Sequence, residues 1–158
     1  MNETEFDKFA GEYGMLHAQN VNITGESFDY FFEYKIRDIF NQISKTRSSC
    51  EDFRILDFGN GIGSSIPFYR RYFPSCYIVC ADVSRRSLEL AKRRFGELAS
   101  YVLFEGESLP LRSGVFDIAL AACVFITSLV PITSACCERF AGFCRRRPGG
   151  CLSMNITR

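Results

Sequence analysis

The sequence has one histidine, His17, and no Cys-x-x-Cys pair. That scarcity argues against a zinc site, which draws on closely spaced Cys and His ligands. No run of about 18 apolar residues occurs, so no transmembrane helix is expected. The opening MNETEFDKFA is acidic and polar, unlike a secretory signal, so a cytoplasmic protein is expected and its eight cysteines are read as thiols rather than disulfides. A formal net charge of +1 gives no global pull toward nucleic acid or a membrane surface, and neither is expected as a partner. Internal repeats and low-complexity segments are absent as well.

What is present is an ordinary globular composition, 47% hydrophobic and 23% charged over 158 residues, enough for one domain with a real core. FDYFFEYKIRDIFNQIS spaces Phe28, Phe32, Ile36, Ile39, Phe40 and Ile43 at three and four residues, an amphipathic helix capped near Ser27. Its aromatics, Phe28 to Tyr34, are expected mostly in the core. After a polar linker the pattern changes. ILDF, CYIVCAD, YVLFEG and VFDIALAACVF read as strands, with Cys76 and Cys80 buried in the second. SSIPFYRRYF and SRRSLELAKRRFGE read as helices between them, the latter capped by Ser84. Strands alternating with helices, apolar on both faces, predict an α/β parallel sheet. The basic runs RRSLELAKRR and RRR are expected as solvated faces, and Asp117 as a strand-entry residue.

DFGNGIG follows the first strand, where an open parallel sheet places its ligands. Gly59 and Gly61 let the backbone turn and approach a ligand, and Gly63 lets the next helix pack close to the strand. A phosphate-binding P-loop would need a lysine that is not here, and a dinucleotide fingerprint would need glycine where Ser64 stands. The spacing is instead D-x-G-x-G-x-G from Asp57, and the second strand ends in Asp82, a carboxylate able to accept both hydroxyls of an adenosine ribose.

With these features the chain resembles the class I S-adenosylmethionine-dependent methyltransferases over about residues 5–125. The resemblance implies a Rossmann-like parallel sheet with flanking helices, an incomplete form of the seven-stranded methyltransferase fold. It implies S-adenosylmethionine as cofactor and a small-molecule methyl acceptor, and says nothing of oligomeric state. Asp57, Gly59, Asn60, Gly61 and Gly63 would surround the methionine and ribose portions of the cofactor. Asp82 would take the ribose, and Val83 the adenine. Glu107, Ser108 and Leu109, in EGESLPLRSGVFDIAL, would flank the adenine, with Glu107 where aspartate is commoner. Ala122 and Cys123 would line the wall near the sulfonium. Tyr13 matches an aromatic that covers the site, although Gly14 replaces the usual aspartate. No catalytic base is identified. Two other readings stay open: a non-catalytic interaction module on the same fold, and a nucleotide-dependent oxidoreductase, which Ser64 argues against.

The expected organisation is a helical cap over residues 1–50, a cofactor-binding core over 51–125 and an atypical tail over 126–158. Residues 1–125 hold 14 basic and 17 acidic side chains, whereas the tail holds five arginines, one glutamate and half the cysteines. Where the family suggests HHIP, then a helix, PGG and a strand, this chain has ITSL and then ACCERFAGFCRRRPGG. Two readings are open: a divergent but genuine tail, with ACCERFAGFC a helix and GGCLSMNIT a fifth strand, or, the favoured one, a single nucleotide lost at the Phe125 codon. In the restored frame Ile126 to Leu129 can read HHIP, Cys136-Cys137 and Phe143-Cys144 each force leucine, and Met154-Asn155 forces glutamate. On that reading the chain is truncated or frameshifted after Phe125, lacks the last antiparallel strand pair and has little or no activity.

Overall fold

A computed structural model describes residues 28–45, 52–104, 109–121 and 142. In chain order these form α1 (Phe28–Ser44), β1 (Arg54–Phe58), α2 (Ile66–Tyr72), β2 (Tyr77–Asp82), α3 (Arg85–Phe95), a short 3-10 turn (Gly96–Leu98), β3 (Ser100–Leu103) and β4 (Ile118–Leu120). The expected cap Ser27, His17, Tyr13, the arginine run near the end and the expected frame change all lie outside the described residues.

The strands form one parallel sheet in the order β3-β2-β1-β4. The chain therefore steps outward from β1 to β3, then crosses back to pair β4 with the other side of β1. That reversal makes the carboxyl ends of β1 and β4 a topological switch point, the place where such sheets bind ligands.

Strand residues alternate between two buried clusters, one on each face. Ile55, Ile78, Cys80, Ile118 and Leu120 share a core with Ile36, Ile39 and Ile43 of α1 and with Ile66 and Tyr69 of α2. Leu56, Ala81, Ala119 and Ala121 lie on the opposite face with Phe104 and Phe116. Burial on both faces is why these strands read as continuous apolar runs. Truncating a fully buried isoleucine such as Ile55 or Ile118 to alanine would cost about 2–5 kcal/mol.

The helix ends follow local chemistry. Ser84 accepts the Ser87 N–H at 3.1 Å and caps α3, while Pro67 occupies the first turn of α2, where a missing N–H is harmless. Arg85, Arg86, Lys92, Arg93 and Arg94 of the basic run are all exposed. Glu33 of α1 receives hydrogen bonds from Arg71 at 2.9 Å and Tyr72 at 3.0 Å, joining α1 to α2.

Two expectations need correction. The aromatic turn of α1 divides: Phe31 and Phe32 are partly buried and pack against the core, whereas Tyr30 and Tyr34 are about half exposed, at 49% and 48%, and Ile36, Ile39 and Ile43 carry the full burial. The fourth strand begins only at Ile118. Just before it, the Asp117 N–H donates to the Arg54 carbonyl at 2.8 Å and the Arg54 N–H donates to Asp117 Oδ2 at 3.1 Å. This reciprocal pair pins the entry of β4 to that of β1, the structural role expected for Asp117.

Candidate functional site

Beyond Phe58 the chain enters the glycine loop, and each turn of it is tied down. The Gly59 N–H donates to the Ala81 carbonyl at 2.7 Å, the Gly63 N–H to the Asn60 carbonyl at 3.0 Å, and the Ile66 N–H to the Gly63 carbonyl at 3.1 Å, leading into α2. From α3, Arg94 Nη1 donates to the Ile62 carbonyl at 3.2 Å.

The last two glycines have different tasks. Both have positive φ, 53° at Gly61 and 81° at Gly63. A Cβ on Gly63 would meet Ile66, Phe95 and Ala91 at 3.0–3.1 Å, so this residue permits the close packing of loop and helix. A Cβ on Gly61 would meet nothing within 4 Å. That open side is where a ligand can approach the backbone.

Asp82 stands next to it, at the end of β2 and 8% exposed. Its Oδ2 accepts the Gly61 N–H at 2.8 Å and its Oδ1 accepts the Ser84 N–H at 2.9 Å. The carboxylate thus joins the glycine loop to the start of α3, and its orientation is fixed before any ligand arrives.

Asp57, the penultimate residue of β1, sits level with Cys80 of β2 and is more deeply buried, at 2% exposure. Ser65 Oγ donates to its Oδ2. Burial pushes the Asp57 carboxyl up to about 7 from 3.8; the Ser65 hydrogen bond works against this, and the nearby Asp82 charge adds to it. The Tyr69 hydroxyl is near enough for the two groups to influence each other, yet it makes no hydrogen bond of ordinary geometry. Burial also raises the Tyr69 hydroxyl, and it raises the Cys80 thiol on the same face.

Of the residues named from sequence, Asp57, Gly59, Asn60, Gly61, Gly63 and Asp82 come together at the carboxyl ends of β1 and β2. Val83 and Leu109 are partly buried against the second core cluster. Glu107, Ser108, Ala122 and Cys123 lie outside the described residues. Sequence reasoning missed Ser65 as the partner of Asp57 and Arg94 as a tie on the loop. Ser65 carried a weak signal as a small polar residue opening a helix; Arg94, 32 residues from its acceptor, carried none. Among the described residues no cluster of acids, histidines and cysteines could hold a metal.

An open-sided glycine loop beside a fixed acid, at the switch point of a parallel sheet, defines a nucleotide-type cofactor domain. Residues 56–144, more than half of the chain, match the family model described as Methyltransferase domain, and the chain belongs to that family. It is 32% identical over 77 residues to malonyl-[acyl-carrier protein] O-methyltransferase of Geobacter sulfurreducens, covering 48% of this chain and 29% of that protein's length. The fold is shared with CalS10, an amino pentose methyltransferase from Micromonospora echinaspora solved with S-adenosylmethionine (TM-score 0.58, 19% identity, 81% of this chain and 50% of that one). Magnesium protoporphyrin IX methyltransferase of Synechocystis PCC 6803, also solved with S-adenosylmethionine, is similar too (TM-score 0.59, 14% identity, 87% of this chain and 69% of that one).

Proposed function

We propose that the chain carries the S-adenosylmethionine site, at the carboxyl ends of β1 and β2, of a methyltransferase acting on a small-molecule acceptor, and that the frame change expected after Phe125 leaves the 158-residue chain itself with weak cofactor binding and little or no transfer. The observation that carries this reading is the open side of Gly61 next to the Asp82 carboxylate, in a chain of the methyltransferase family.

The residues fit the cofactor. A carboxylate at the end of β2 is the kind of acceptor that ribose hydroxyls need, and the Gly61 and Ser84 amides orient that of Asp82. Gly61 admits the ligand against the backbone. Val83, beside Asp82, offers apolar contact to the base, and Leu109, Glu107, Ser108, Ala122 and Cys123 complete the assignment.

When bound, the cofactor supplies a methyl carbon already activated by a sulfonium. The protein's part is then mainly to hold carbon and nucleophile in line, for which a rigid loop is suited. Asp82, Arg94 and Ser65 tie the loop and its flanking helices together, so the site is formed in advance. A general base is needed only if the acceptor's nucleophile carries a proton.

Calorimetric titration with S-adenosylhomocysteine and with NADH tests the reading. Binding of the first and not the second is the expected result. Preference for NADH would move the chain to the oxidoreductases. Binding without transfer to any acceptor would favour the non-catalytic alternative.

A further inference from the structure

α3 carries a charge pattern that folding does not call for. It holds five of the 14 basic side chains in residues 1–125 and one of the 17 acidic ones, so a positive helix sits on an otherwise acidic body. Arg85 and Arg86 occupy its first turn, which has no acid. That is the positive end of the helix dipole, where a cation opposes helix formation and an acid would support it. Stability therefore gives no reason for two arginines there, whereas an acidic partner does.

The charges share one face. At about 3.6 residues per turn, Lys92 follows Arg85 and Arg93 follows Arg86 in two adjacent rows, each pair about 10.5 Å apart along the axis. Ser87, Leu88 and Ala91 form the buried side opposite. Arg94 is not part of the face, since it turns back to the Ile62 carbonyl. All four cations of the face are exposed, and Arg85, Lys92 and Arg93 make no ion pair with another described residue.

Glu89 decides the kind of partner. It lies in the middle of the face, one turn from each of the four cations, and is exposed as well. A nucleic acid or an anionic membrane presents negative charge without a break and would meet Glu89 with repulsion. A protein surface can set a lysine or arginine against Glu89 and carboxylates against the rest.

We propose that this face of α3 docks an acidic protein surface, whose carboxylates pair with Arg85, Arg86, Lys92 and Arg93 and one of whose cations meets Glu89. The face begins three residues after Asp82, so the docked partner stands beside the candidate site. The inference goes beyond the cofactor reading and does not depend on it.

The test titrates an isotope-labelled sample, at low salt, with a helical peptide that carries two rows of glutamates at the spacing of these cations and one lysine between them. Backbone amide shifts should centre on Arg85, Glu89, Lys92 and Arg93, and binding should weaken as salt is raised. Combining Arg85→Glu with Lys92→Glu should cost at least about tenfold in affinity, whereas Arg112→Glu, on an exposed residue outside α3, should cost no more than about twofold. Arg85→Glu alone should melt no lower than the parent, because an acid suits the first turn, so lost binding is not lost folding. Replacing the peptide's lysine with glutamate should weaken its binding to the parent but not to Glu89→Gln. Tighter binding of a single-stranded oligonucleotide or of anionic phospholipid vesicles than of the peptide would overturn the proposal. So would an unchanged affinity in the double variant, or no binding of the peptide by the parent.

Discussion

Asp117 and Asp82 stand at opposite ends of the sheet, and the two are used differently. At the amino-terminal end, Asp117 and Arg54 exchange backbone and side-chain hydrogen bonds between neighbouring strands. At the carboxyl end, Asp82 also accepts backbone amides, but from two separate segments, the glycine loop and the start of α3. Beside it Gly61 faces open space and Asn60 buries an amide without partners. An end that only supports the fold satisfies its polar groups from within. An end that binds keeps groups that a ligand completes.

The largest effect should come from Gly61→Val. A branched side chain at φ 53° is strained and occupies the open side of Gly61, so titration should detect no S-adenosylhomocysteine binding. Gly63→Ala gives the contrast. Its Cβ would press on Ile66, Phe95 and Ala91, so the melting temperature should fall first.

Asp57 sets a pH dependence. Its carboxyl is held up at about 7 when folded, against 3.8 ordinarily, so between those values the unfolded chain binds fewer protons than the folded one. Its contribution is fully present below 3.8 and is lost as pH rises through about 7. The loss approaches about 4 kcal/mol if the whole shift is expressed. Asp57→Asn keeps an acceptor for Ser65 without the charge, so denaturant titrations should show a smaller fall in stability from pH 4 to pH 8 in the variant than in the parent. Equal slopes would mean that Asp57 does not titrate in that window.

Asp82→Ala should weaken S-adenosylhomocysteine by an amount worth roughly 1.5–3 kcal/mol, the value of hydrogen bonds to a charged acceptor. Asp117→Ala should cost stability by about 1 kcal/mol and leave cofactor affinity unchanged. Matching effects of the two on affinity would erase the distinction between the ends of the sheet.

Much of this was legible in the sequence because it is local. Strand period, the Ser84 cap, the glycine spacing and the acid closing β2 each follow from a few neighbouring residues. The rest depends on distance in space. Periodicity puts Ile36, Ile39 and Ile43 on the apolar face of α1, where they are fully buried, but aromatic character alone does not show that Tyr30 and Tyr34, off that face, stay half exposed. The Asp117–Arg54 pair spans 63 residues, and nothing in VFDIAL announces that β4 starts only after it. The unpaired amide of Asn60 needed coordinates too, since composition cannot tell a solvated asparagine from a buried one.

The most direct test of the central claim is to follow backbone amides in an isotope-labelled sample by nuclear magnetic resonance as S-adenosylhomocysteine is added. The largest shifts should fall on Gly59, Asn60, Gly61, Asp82 and Ser84, while Arg54, Tyr77 and Asp117 at the opposite end stay in place. Shifts centred on Arg54 and Asp117, or spread evenly along the strands, would contradict a cofactor site at the carboxyl ends of β1 and β2.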